Sequence, residues 1–244
     1  MSTSRPAGVW LIGARGSVAT TVVAGCAAMA SGLHPPTGML TETPLFVDCG
    51  LPGLSSLVFG GHDTLDCPLP KRAEELAAGG VLPHGLPAAV AAELTAADAE
   101  IAPGGPLPHD DRDEQELIEA FAADISDFTA RRAPAGTVVV NVASTEPAAD
   151  GDTLPPSSLY AAAALRAGCP YVNFTPSTGL HHPSLAAPSA RSRLPYAGRD
   201  GKTGQTLLRS VLGPMFALAR QVWAGSGRLR GVPVRMTAPL HEPT

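Results

Sequence analysis

Apolar positions along the chain alternate between short continuous runs and stretches at helical spacing. The first run, Gly8-Val9-Trp10-Leu11-Ile12, stops at Gly13, and the segment 15–31 that follows is rich in Ala, Val and Thr. That order predicts strand, glycine turn, helix: a βα unit. Residues 32–55 are broken by Pro35, Pro36, Pro44 and Pro52 and predict an irregular connection. A second run, Leu57-Val58-Phe59, stops at Gly60-Gly61-His62-Asp63. Ala-rich helices are predicted over 71–78 and 87–99, then a loop over 103–112. Asp111 or Asp113 is placed to cap a long helix over 114–132, in which Leu117, Ile118, Phe121, Ile125 and Phe128 share one face. Residues 137–142 form a nearly unbroken apolar strand, the pattern of a parallel strand buried on both faces. A helix over 157–166, strands over 170–174 and 194–197, and a last helix over 202–223 complete the order. Strands alternating with helices predict an α/β fold, a doubly wound parallel sheet with right-handed crossovers.

Composition narrows the picture. The 244 residues are 44% apolar and 16% charged, enough to build a buried core and to exclude general disorder. Net charge is −5, which argues against a nucleic-acid partner. Gly (26) and Pro (25) make up about a fifth of the chain and imply many turns. Cys26, Cys49, Cys67 and Cys169 are scattered, with no ligand spacing, and read as small buried residues of a reduced protein with no metal site. Arg5 followed by an apolar stretch imitates a secretory signal, but Gly13, Arg15 and Gly16 interrupt it. A cytoplasmic protein with no membrane segment is expected. The chain has only two lysines, Lys71 and Lys202, so chemistry that needs an amine has two candidates.

Five segments carry candidate chemistry. The turn Gly13-Ala14-Arg15-Gly16-Ser17-Val18-Ala19 sits where a dinucleotide pyrophosphate meets a helix N-terminus, although Arg15 replaces the usual second glycine. An ordinary tight βα turn is the alternative, and Arg15 leaves NAD against NADP open. Asp63 ends the second strand, the place of a carboxylate that accepts from an adenosine ribose or of a plain turn Asp; Asp48 is a rival. Two neighbouring strand ends, Asn141–Pro147 and Asn173–Thr178, are rich in small polar residues, as a ligand crevice or loop chemistry requires. The Gly201-Lys202-Thr203 triplet is not a phosphate loop, because Tyr196 stands where that motif needs glycine. A lysine at a helix start is unfavourable unless an anion or carbonyl oxygen faces it.

Together, Gly13–Ala19, Leu57–Asp63, Asn141–Pro147, Asn173–Ser177 and, most specifically, Ala197–Leu212 resemble the myo-inositol-phosphate synthase family, in the family's order and over about residues 8–220. The resemblance implies a Rossmann-like NAD-binding domain, expected over 1–170. Part of a second α/β domain for catalysis and tetramer contacts is expected over 171–224, then an irregular tail over 225–244. It also implies an isomerising ring closure of a hexose 6-phosphate to a cyclitol phosphate: oxidation, enolisation, intramolecular aldol attack, reduction.

Carried over motif by motif, Gly13, Gly16, Ser17 and Val18 would hold the pyrophosphate and Asp63 the ribose. Ala143, Ser144, Thr145 and Thr175 would line the cofactor, and Asp200 and Thr203 would flank the nicotinamide. Ser177 and Thr178 would hold the substrate phosphate, with Lys202 and Asp200 catalytic and Lys202 also touching substrate. The chain departs from the family at Arg15 and at Leu207, where many members carry lysine, and it ends soon after the last block. These departures leave two alternatives: a catalytically inactive NAD-binding or interaction protein left by truncation, or a variant synthase closing a five-membered ring.

Overall fold

Side chains alternate across the first strand, so Trp10 and Ile12 enter one apolar layer while Val9 and Leu11 enter the other. Both faces of the sheet are covered for that reason. The computed structural model describes residues 5–107, 110–147, 151, 153–201, 208 and 210–219. β1 (Ala7–Ile12), β2 (Leu57–Asp63), β3 (Ile101–Pro103), β4 (Thr137–Asn141), β5 (Tyr171–Asn173) and β6 (Tyr196–Gly198) form one sheet in the order β3-β2-β1-β4-β5-β6. Every pairing is parallel. This is the doubly wound order, with its reversal between β1 and β4.

On one face lie α1 (Ser17–Ala30), α2 (Leu69–Ala78), the single turn α3 (Leu86–Ala89) and α4 (Ala91–Asp98). α1 packs through Ala19, Val23, Ala24, Ala27 and Ala28. On the other lie α5 (Glu114–Arg132) and α6 (Pro156–Arg166), with α7 (Ala186–Ser192) beyond them. Leu117, Phe121, Ile125 and Phe128 of α5 are buried around Trp10, and Ile118 packs against their edge. Asp113 is the cap of α5: its carboxylate accepts from Glu116 N (2.8 Å), while the Glu116 side chain accepts from Asp113 N (2.9 Å). Such a reciprocal cap contributes about 1 kcal/mol.

β5 and β6 pair within the same sheet, so the boundary expected at 170 falls inside it, and the first compact unit runs through Gly201. The second unit, 202–244, is described at 208 and 210–219, which are helical, with Val211, Met215, Phe216 and Leu218 exposed. The tail expected over 225–244 lies outside the described residues. Cys26 and Cys169 are buried as expected, but Cys49 is exposed; all four thiols are free. Among the described residues no helix is long and apolar enough to cross a membrane, and no group of His, Cys, Asp or Glu is placed to hold a metal.

Candidate functional site

The crevice at the carboxyl ends of β1 and β4 is where a doubly wound sheet binds its ligand. Gly13, directly after β1, has φ +80°, and a Cβ on it would stand 2.7 Å from Cα of Ala143, directly beyond the β4 end. Only glycine permits that approach. The amides of Gly13 and Ala14 both donate to the carbonyl of His62 (2.9 and 3.1 Å), and Gly16 N closes the turn on Gly13 O (3.0 Å). Gly61 of β2 leaves the room the turn needs, since a Cβ there would meet Cβ of Ala14 at 2.6 Å.

α1 then starts without a side-chain cap and without a carboxylate in its first turn. Thr20 N reaches Gly16 O (2.9 Å), while the amides before it belong to the unsatisfied start of the helix. Ser17 and Val18 are exposed at this end. Arg72 of α2 adds a cation: its Nη2 donates to Ser17 Oγ (3.0 Å) and its Nη1 to Glu75 (2.9 Å), with its buried Nε unpaired. A guanidinium beside a positive helix end is unfavourable unless an anion joins them. An uncapped helix start, a glycine turn pressed onto β4 and an adjacent guanidinium fit a pyrophosphate.

Asp63, at the end of β2, is buried, and its two carboxylate oxygens accept from Arg15 N (2.6 Å) and Leu65 N (2.8 Å). The carboxylate thus ties β2 to the glycine turn and retains lone pairs for further donors. Asp48 is exposed in a 3-10 helix, Pro44–Cys49, off the sheet.

A second polar cluster lies one strand over. Asn141 and Asn173 are register partners, and Asn141 Nδ2 donates to Asn173 Oδ1 and Thr175 Oγ1 (both 3.3 Å). Thr175 Oγ1 donates to Asn173 Oδ1 (2.8 Å) and accepts from Ser177 N (3.2 Å). Glu146 joins the loops: it accepts from Ser157 N (2.8 Å), from the Ser157 hydroxyl and from Thr178 N (3.3 Å), while its own N–H donates to Ser177 Oγ (3.2 Å). Thr175 and Ser177 are buried, Thr178 is half-buried, and Ser144 and Thr145 are exposed at the β4 end. Asp200, with φ +67°, donates its N–H to Thr175 O (3.0 Å), which brings it beside the same strand end.

The structure therefore gathers Gly13, Gly16, Ser17, Val18, Asp63 and Ala143 around one turn. It gathers Thr175, Ser177, Thr178 and Asp200 around the next strand end. Lys202 and Thr203 lie outside the described residues. Sequence reasoning missed Arg72 and the bracing role of Glu146. The Glu146 signal was present in the Asn141–Pro147 block, whereas Arg72 meets Ser17 only through the packing of α2 beside α1.

A family model of an NAD-binding domain, described as myo-inositol-1-phosphate synthase, matches residues 148–240. Inositol-3-phosphate synthase 1 of Bacteroides thetaiotaomicron is 30% identical over 257 residues, covering 86% of this chain and 57% of that protein. The chain thus spans little more than half the length of that relative. In fold it is similar to inositol-3-phosphate synthase of Caenorhabditis elegans (TM-score 0.68, 19% identity, 82% of this chain and 50% of that one). It is also similar to a myo-inositol-1-phosphate synthase-related protein of Thermotoga maritima (TM-score 0.58, 21% identity, 82% and 56%). The family model over residues 148–240 and the sequence relative point the same way: the chain is similar to the myo-inositol-phosphate synthase family.

Proposed function

We propose that this chain binds NAD at the β1–β4 crevice and takes part in cyclising a hexose 6-phosphate to a cyclitol phosphate. The observation that carries the reading is the Gly13–Ala143 contact beside the uncapped start of α1. When bound, NAD supplies reversible hydride exchange with a substrate hydroxyl. The amides of Ser17 and Val18, with Gly13 and Gly16 giving access, hold the pyrophosphate, and Arg72 neutralises it from α2. Asp63 accepts from the adenosine ribose. Ala143, Ser144 and Thr145 wall the crevice, and Thr175 orients the neighbouring strand end through its bonds to Asn141 and Asn173. Asp200 and Thr203 flank the nicotinamide, and Ser177 and Thr178 hold the sugar phosphate. Lys202 stabilises the enolate oxygen that forms once the substrate carbon is acidified.

The working form is a cytoplasmic homotetramer, by similarity to the family. Only two lysines in the sequence favour a second reading, an NAD-binding protein without cyclase activity. Calorimetric titration with NAD, followed by incubation with NAD and hexose 6-phosphates and NMR of the products, separates the two. Saturable binding and a cyclised phosphate are expected. Binding without a cyclised product leaves only the second reading, and absence of NAD binding overturns both.

A further inference from the structure

Arg15 stands in the glycine turn where most dinucleotide sites keep a glycine, and its side chain is committed elsewhere. Nε donates to Asp98 Oδ1 (2.9 Å) at the end of α4, and Nη1 donates to the carbonyl of Leu65 (3.0 Å). Its own amide is one of the two donors on Asp63. The guanidinium therefore lies against the 63–65 turn, the ribose side of the crevice, with its charge already matched by a carboxylate. Asp98 is itself fixed, because the same Oδ1 accepts from Leu69 N (3.1 Å) at the first residue of α2, a helix with no side-chain cap of its own. Both side chains are mostly buried, at 17% and 20% exposure, so the pair is shielded from counter-ions.

In doubly wound folds a carboxylate at the end of β2 receives the ribose hydroxyls of NAD, while an arginine nearby accommodates the 2′-phosphate of NADP. This chain has both residue types at that position. We propose that Asp98 is the residue that sets cofactor choice: by holding Arg15, it denies a 2′-phosphate the guanidinium that lies on the 63–65 turn and leaves Asp63 to select NAD. The inference rests on the cofactor reading given above. Asp98 acts through Arg15 and is a positioning residue.

The test is a set of calorimetric titrations with NAD and NADP. Wild-type protein is expected to bind NAD and to bind NADP far more weakly. Asp98→Asn keeps an oxygen for Leu69 N but removes the charge that holds Arg15. NADP affinity is then expected to rise about tenfold, the scale of a released charge-assisted contact, with NAD affinity within about threefold of wild type. The double variant Asp98→Asn with Arg15→Gln should lose that gain. Arg15→Gln alone, which leaves Asp98 unbalanced, should bind NADP no better than wild type, and it serves if Asp98→Asn does not fold. An unchanged NADP-to-NAD ratio in Asp98→Asn, or tighter NADP binding in Arg15→Gln, overturns the proposal. Wild-type protein that binds neither nucleotide overturns the cofactor reading instead.

Discussion

Trp10 donates its indole N–H to Nδ1 of His62 at 3.0 Å, inside the layer between the sheet and α5. The bond fixes the tautomer: with Nδ1 accepting, the ring hydrogen sits on Nε2 and donates to Asp124 (3.0 Å). The same residue's carbonyl holds the glycine turn through Gly13 N and Ala14 N. The turn is thus anchored to a histidine that is completely buried.

Burial pushes the His62 pKa down from its ordinary value, partly offset by Asp124. The unfolded chain then takes up a proton that the folded chain refuses, so stability falls as pH drops through the ordinary histidine range, about 6.5. His62→Asn keeps a polar group but removes this titration. It is expected to cost about 2 kcal/mol at neutral pH, from the lost ring and hydrogen bonds, and to flatten the fall in stability below pH 7. Urea denaturation at several pH values checks it. An equally steep loss in the variant would remove His62 as the cause.

Gly13→Ala places a methyl group against the backbone of Ala143 at a φ that disfavours any side chain. Strain of about 1–3 kcal/mol is expected, relieved by pulling the turn off the β4 end. NAD affinity should drop at least about tenfold, because the amides of Ser17 and Val18 move with the turn. Calorimetry on a variant shown to be folded by circular dichroism decides it; wild-type affinity would mean the turn does not meet the cofactor.

How far the sequence spoke depended on how local each signal was. Asp113, Glu116 and the 3–4 spacing of Leu117, Phe121, Ile125 and Phe128 define α5 within the segment itself, and the helix runs over the expected 114–132. β2 ends at the expected Asp63, beyond the apolar run Leu57–Phe59, because Gly60 and Gly61 pair with β1 despite their weak strand preference. β3 is only Ile101–Pro103, too short for an alternating pattern, and it falls partly inside the expected loop. α7 was missed, since Pro188, Ser189 and Ser192 hide it among turn-like residues. The glycine turn and both strand ends were visible as motifs. The Arg72–Ser17 and Arg15–Asp98 contacts join residues 55 and 83 positions apart, and only the packing of α2 and α4 beside α1 creates them.

Glu146 receives three donors on two oxygens: Ser157 N on Oε2, and Ser157 Oγ with Thr178 N on Oε1. Glu146→Gln offers one acceptor oxygen and turns the other position into a donor, so at least one donor faces another. A stability loss of about 1–3 kcal/mol is expected. Sugar-phosphate affinity should fall more than NAD affinity, because Ser177 and Thr178 lose their brace while the glycine turn keeps its own. Equal losses for the two ligands would show that Glu146 only stabilises the fold.

Lys202 follows Asp200 by two residues, and Asp200 is tied by its amide to Thr175 at the β5 end. The other lysine, Lys71, lies on α2, a helix held against α1 on the opposite side of the sheet from α5 and α6. Lys202→Met keeps the side-chain length and removes the nitrogen, so the positive charge proposed to meet the enolate oxygen disappears. The residues proposed for the pyrophosphate, the ribose and the crevice wall, at 13–18, 63 and 143–145, are untouched by the change. The variant should therefore bind NAD as wild type does and lose cyclisation by at least about 100-fold, the lower end of what one such group contributes. The ratio of cyclised product to NAD bound, measured on both proteins by NMR and calorimetry, is the deciding quantity; near-normal turnover in Lys202→Met would remove the lysine from the chemistry.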